Sequence, residues 1–218
     1  MTMPLRAAIF DMDGLMIDSE RIYTECSNAV LAEWGKTLTW EVKATLMGRP
    51  AHESAKRLVA ATGVPISPEE FSARMDALLA PAFRHVQPLP GIQRLIDHLV
   101  EHEVPIAIAT GSKRSNFNIK SSNLGPLFQP FGDRVVCGDD ETVIGRGKPD
   151  PAIFHEAAKM LGITEPEQLA ECLVFEDGRE SQGIPTSPRE KADAVRQCKG
   201  WKQHWQVACR CAKALDSF

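Results

Sequence analysis

A chain of 218 residues suits one medium domain, or a core carrying an insert, better than a large assembly. Its 43% hydrophobic and 25% charged content excludes wholesale disorder and collagen-like repeats. A net charge of −4 argues against a nucleic-acid surface spread over the fold, and apolar stretches such as Ile106 to Ala109 fall far short of the ~20 residues a membrane helix needs. No nucleic-acid and no membrane partner is therefore expected. The opening residues lack the apolar region and cleavage site of a secretory signal, so a cytoplasmic address is expected. The six cysteines are scattered and read as reduced thiols.

Charge is distributed unevenly. Residues 1–177 hold 17 basic and 25 acidic side chains, whereas 178–218 hold 8 basic and 4 acidic ones, so the sign reverses near residue 177. Leu5 to Phe10 is a short apolar run ending at Asp11, the pattern of a strand buried on both faces of a parallel sheet. From Ser19 to His85 the spacing is helical, through Ile22, Cys26, Ala29 and Val30, then Leu58, Phe71, Met75 and Leu79. Pro88-Leu89-Pro90-Gly91 reads as a hinge or linker before an amphipathic helix carrying Ile92, Leu95, Ile96 and Leu99. Val104 to Ala109 predicts a second strand, ending at Thr110-Gly111-Ser112, and Arg134 to Cys137 a third, ending at Gly138-Asp139-Asp140. A helix through Ile153, Phe154, Ala157 and Ala158 precedes a strand at Cys172 to Phe175 that ends in Glu176-Asp177. Such alternation specifies a parallel sheet with helices on both faces, whose ligands sit at the carboxyl ends of the strands.

Asp11, Thr110 and Asp177 each stand just past a predicted strand end, and Lys148 lies in a loop leading to one, so all four can share a crevice. Asp11 and Asp13 stand at i and i+2, with Gly14 letting the chain turn away. A carboxylate is a competent nucleophile toward phosphorus, and a second acid can protonate the leaving alkoxide and then deprotonate water. Asp11, Asp13, Glu176 and Asp177 would gather up to four negative charges against one from Lys148, and a bound phosphate adds roughly two more, so a divalent cation is needed. All-oxygen donors suit Mg²⁺. Thr110, with the backbone N–H groups of Gly111 and Ser112, offers a nest for phosphate oxygens. Gly145-Arg146-Gly147-Lys148 is not a nucleotide phosphate loop, because Pro149 stands where Ser or Thr is required.

Asp11-Met12-Asp13-Gly14, Thr110-Gly111-Ser112, Lys148-Pro149-Asp150 and Phe175-Glu176-Asp177, in this order, resemble the four motifs of haloacid dehalogenase-like phosphohydrolases. Within that superfamily, Leu46-Met47-Gly48, Gly138-Asp139-Asp140 and Gly147-Lys148-Pro149-Asp150-Pro151 look like the branch of pseudouridine-5'-phosphatases and related sugar-phosphate phosphatases. The resemblance implies an α/β fold, with a Rossmann-like core formed by residues 1–17 and 88–177 and an inserted helical cap over 18–87. It implies Asp11 as nucleophile and Asp13 as general acid and base. It also implies Mg²⁺ held by the Asp11 side chain, the Asp13 main-chain carbonyl and Asp177, with Glu176 tuning the metal site. By the same resemblance Thr110 and Lys148 bind phosphate, and Arg49 in the cap is a candidate substrate contact. The implied protein is a Mg²⁺-dependent phosphatase of a small phosphorylated metabolite, pseudouridine 5'-phosphate first; separately, a monomer is expected. A sugar-phosphate mutase, or a non-catalytic isoform with an altered C-terminus, is the alternative.

Family members follow the Glu-Asp pair with a helix rich in Ala and Gly, a further strand and a closing helix. Here Gly178 to Pro188 is polar and turn-rich, so residues 178–218 read as an atypical tail with no candidate for the last strand. Trp201, Trp205, Ala208, Ala212 and Leu215 fall at helical spacing and predict an amphipathic helix there.

Overall fold

The computed structural model describes residues 5–46, 49, 51–148, 150–176 and, as backbone, 206–209. Five parallel strands form one sheet in the order β3-β2-β1-β4-β5: β1 (Ala7–Phe10), β2 (Ile106–Thr110), β3 (Val135–Cys137), β4 (Cys172–Glu176) and β5 (Gln206–Cys209). The central strand β1 pairs with β2 through Ile9↔Ala107 and with β4 through Ile9↔Val174. Alternation along each strand serves two apolar cores. Ala8, Phe10, Ile106 and Ile108 look to one side, with Ile96 and Phe131, while Ala7, Ile9, Ala107 and Ala109 look to the other. There they meet Phe154, Ala157 and Ala158 of α8 (Ala152–Met160). A strand covered on both faces needs apolar residues at every position, which is why the sheet's central strands read as continuous hydrophobic runs.

Between β1 and β2 the chain makes α1 (Ser19–Ala32), α2 (Trp40–Leu46), α3 (Ala51–Thr62) and α4 (Pro68–Phe83) before α5 (Ile92–Glu101) returns it to the sheet. Ile22, Cys26 and Val30 of α1 join Phe71, Met75 and Leu79 of α4 in the first core, as the three-and-four spacing predicts. Ser67 opens α4 by accepting the Glu70 N–H at 3.1 Å. The two connections to this helical insert run side by side: Asp18 N–H donates to Gln87 O at 2.9 Å and Leu89 N–H to Met16 O at 2.9 Å. Beyond β2 come α6 (Arg114–Ser121) and α7 (Gly125–Phe128), and α9 (Pro166–Leu169) precedes β4. No described helix is long and apolar enough to cross a membrane.

The tail corrects the sequence expectation at one point. Gln206–Cys209, which includes Ala208 of the expected amphipathic helix, is a strand, pairing in parallel with β4 from Leu173↔Gln206 to Glu176↔Cys209. The edge of β4 offers a row of unpaired backbone groups, and satisfying them outweighs a weak local helical period in a four-residue segment. The other residues of that expected helix lie outside the described residues.

Candidate active site

The carboxyl ends of β1, β2 and β4 bring the motif residues together. β1 ends at Phe10, whose ring stacks on Phe175 of β4 at 4.6 Å, and Asp11 N–H donates to Phe175 O at 2.8 Å. Asp11 is thus pinned at the strand's end and 6% exposed. The chain then bends away. Gly14 takes φ 74°, a left-handed conformation, and Met16 N–H closes back on Met12 O at 2.9 Å.

Lys148 joins two of these acids, donating from Nζ to Asp11 Oδ1 at 2.7 Å and to Glu176 Oε2 at 2.6 Å, with its ammonium 4.8 Å from the centre of the Phe154 ring. Burial pushes the Asp11 carboxyl up to about 8 despite Lys148, and the Glu176 and Asp13 charges push the same way. For Lys148, burial would lower the ammonium, but Asp11 and Glu176 outweigh it and hold it above its ordinary value. Asp11 Oδ2 takes part in none of the described hydrogen bonds.

Asp13 has partners on both carboxylate oxygens. Its Oδ1 accepts from Lys120 Nζ at 2.6 Å and its Oδ2 from Ser112 Oγ at 2.7 Å. Burial opposes ionisation there, but Lys120 and the hydrogen bonds win and lower the carboxyl below its usual range. Thr110 ends β2 fully buried, and its Oγ1 accepts the Ser112 N–H at 3.1 Å. That loop is braced from β3, where Gly138 N–H donates to Ser112 O at 3.0 Å. Arg114 clamps the same side, with its N–H on Asp139 Oδ1 at 2.7 Å and its guanidinium on Asp140 Oδ2 at 2.6 Å.

Asp11, Asp13, Thr110, Gly111, Ser112, Lys148 and Glu176 therefore gather at the strand ends and adjoining loops on one end of the sheet. Arg49 belongs to the helical insert. Its side chain lies on the exposed surface of the insert, donating to Thr45 O at 2.8 Å and Glu53 Oε1 at 3.0 Å. Asp177 lies outside the described residues. Sequence reasoning passed over Lys120, although it falls three residues after Phe117 and so on the buried face of α6, a place where a lysine calls for a partner.

The donor set fits a hard divalent cation. Asp11 and Glu176 share the Lys148 ammonium and Asp13 takes that of Lys120, so the acids outnumber the ammonium groups; burial raises the Asp11 carboxyl and Lys148 only partly offsets it. Asp11 and Glu176 are the two carboxylates that meet across Lys148.

A family model for haloacid dehalogenase-like hydrolases matches residues 5–181. A Saccharomyces cerevisiae protein named "Probable pseudouridine-5'-phosphatase" is 41% identical over 184 residues, 82% of this chain and 78% of its own length. A Drosophila melanogaster protein named "Probable pseudouridine-5'-phosphatase" is 37% identical over 169 residues, covering 78% of this chain and 72% of that one. (DL)-glycerol-3-phosphatase 2 of Arabidopsis thaliana is 39% identical over 171 residues, 78% of this chain and 70% of its own. Among solved structures, a hydrolase of the same family from Deinococcus radiodurans, crystallised with bound phosphate and sodium, superposes with a TM-score of 0.72 at 24% identity over 99% of this chain and 89% of that one. By motif order, sheet topology and these matches, the chain belongs to the haloacid dehalogenase-like hydrolases.

Proposed function

We propose that the protein hydrolyses a small phosphomonoester, a nucleotide or sugar phosphate with pseudouridine 5'-phosphate first among them, through a phosphorylated Asp11. The observation that carries this reading is the placement of Asp11. It is a buried carboxylate at the end of the central strand, bonded to a lysine and followed two residues later by a second acid. The names of the yeast, fly and plant relatives support the choice of phosphate esters.

In the first half-reaction an Asp11 carboxylate oxygen attacks phosphorus, the bond from phosphorus to the ester oxygen breaks, and the Asp13 carboxyl gives its proton to the departing oxygen. The Lys120 pair favours ionised Asp13, whereas the negative charge of an arriving phosphate favours the protonated form that this step requires. In the second half-reaction water attacks phosphorus, the bond to Asp11 breaks, and Asp13 takes the water's proton. Thr110 and the Gly111 and Ser112 N–H groups cradle the non-bridging oxygens, and Lys148 stays beside the growing charge. Mg²⁺, when bound, would neutralise charge between phosphate and carboxylates; the Asp11 side chain, the Asp13 carbonyl and Asp177 would hold it, with Glu176 alongside. The helical insert over residues 18–87 acts as a cap that screens the substrate from solvent.

The test is Mg²⁺-dependent phosphate release from a panel of nucleotide and sugar phosphates by the protein and by Asp11→Asn. Release should fall at least ~10³-fold in the variant. Equal release by both would remove Asp11 as nucleophile, and a product whose phosphate has moved within the sugar would identify a mutase instead.

A further inference from the structure

Lys120 is the one lysine or arginine among the described residues with no solvent exposure at all. Taking an ammonium out of water is unfavourable unless each of its donors finds a partner. Here Nζ donates to Asp13 Oδ1 at 2.6 Å and to Ser112 Oγ at 2.9 Å, and Ser112 Oγ in turn donates to Asp13 Oδ2 at 2.7 Å. Both oxygens of Asp13 are thereby tied to one rigid unit, α6 and the loop before it. The rest of the ammonium is enclosed by aromatic faces, with the Phe83 ring centre at 4.4 Å and that of Tyr23 at 5.5 Å. Phe83 ends α4 and Tyr23 lies in the first turns of α1, so the enclosure is built by the two insert helices nearest the connections to the core.

Stability alone does not call for this arrangement, because a buried ion pair is often matched or bettered by apolar residues of similar volume. Nor can Lys120 touch a substrate, since it has no solvent exposure and its ammonium is enclosed by Asp13, Ser112, Phe83 and Tyr23. What the geometry does supply is a fixed orientation for one carboxylate.

We propose that Lys120 is a positioning residue. With Ser112 and the aromatic faces of Phe83 and Tyr23, it holds the Asp13 carboxylate in the single orientation needed for proton exchange with the ester oxygen and with water. This rests on the reading of Asp13 as acid and base given above. A carboxylate free to rotate spends most of its time misaligned, and misalignment by ~1 Å costs about a hundredfold in rate.

The experiment compares the wild type with Lys120→Met, Asp13→Asn and the double variant, measuring kcat and KM for the best substrate of the panel in Mg²⁺. Lys120→Met should lower kcat about 100-fold while KM stays within about threefold, because the lysine acts on chemistry and not on binding. On the Asp13→Asn background, removing Lys120 should cost no more than about threefold, since nothing is left to position. Wild-type kcat in Lys120→Met, a rise in KM alone, or losses that multiply in the double variant would each overturn the proposal. Should Lys120→Met fail to fold, Phe83→Leu strips one aromatic face and leaves the pair; kcat should then fall several-fold with KM unchanged, and an unaltered kcat would overturn the proposal. A wild type that releases no phosphate ends the proposed function and this inference with it. An active wild type indifferent to Lys120 ends this inference alone.

Discussion

Gly138→Ala tests whether the loop that carries Thr110, Gly111 and Ser112 must stand where it does. A Cβ on Gly138 would meet Gly111 O at 2.6 Å, its carbonyl carbon at 3.1 Å and its Cα at 3.3 Å, whereas ordinary contact begins at 3.4 Å. All three atoms are backbone, so no side-chain rotation relieves the overlap, and the Gly111 loop has to retreat by about 0.5–0.8 Å. Gly138 is not among the glycines with positive φ, so alanine meets no conformational objection of its own. At about a hundredfold per ångström of misplacement, the retreat should lower kcat/KM by about 10- to 40-fold, with an overpacking cost of about 1–3 kcal/mol in stability. The assay is phosphate release under Mg²⁺ together with thermal unfolding, so that lost rate in a folded protein is separated from lost protein. Gly125→Ala is the control, because its added Cβ meets nothing within 4 Å. A Gly138→Ala protein with kcat/KM within about twofold of wild type would refute the claim that loop position limits the rate.

Lys148→Met leaves Asp11 and Glu176 without the ammonium they share. Because Lys148 is 15% and Asp11 9% exposed by side chain, the expected loss is about 3–5 kcal/mol in urea unfolding, with kcat/KM down at least ~100-fold; a stability loss under about 1 kcal/mol would contradict the pairing. Chelation with EDTA should abolish phosphate release, and added Mg²⁺ should both restore it and stabilise the fold, by about 2.7 kcal/mol at a hundred times the dissociation constant; full activity without divalent cations would dismiss the ion.

The strands that lead into the motif loops were legible because a sheet covered on both faces admits few residue types. Ala-Ala-Ile-Phe before Asp11 and Ile-Ala-Ile-Ala before Thr110 can hardly be anything else. The convergence of Asp11, Lys148 and Glu176 followed from topology, since parallel strands deliver their trailing loops to one end. What stayed hidden was set by contacts distant in sequence. Lys120 meets Asp13 across 107 positions, and nothing in its own neighbourhood names that partner. β5 owes its conformation to the vacant edge of β4 and not to its own period. Arg49 was singled out by its place beside a motif, and the ion pair it makes with Glu53 one helical turn ahead, at 3.0 Å, is a local contact of the insert.

The paired connections at Asp18 with Gln87 and Met16 with Leu89 mean that the polypeptide departs from the α/β layer and comes back at almost the same point. The ends of the excursion are joined whether it is short or long, so doubling its length would add only about 0.6 kcal/mol of closure entropy. The length and make-up of the excursion can therefore change at little cost to the strands on either side of it.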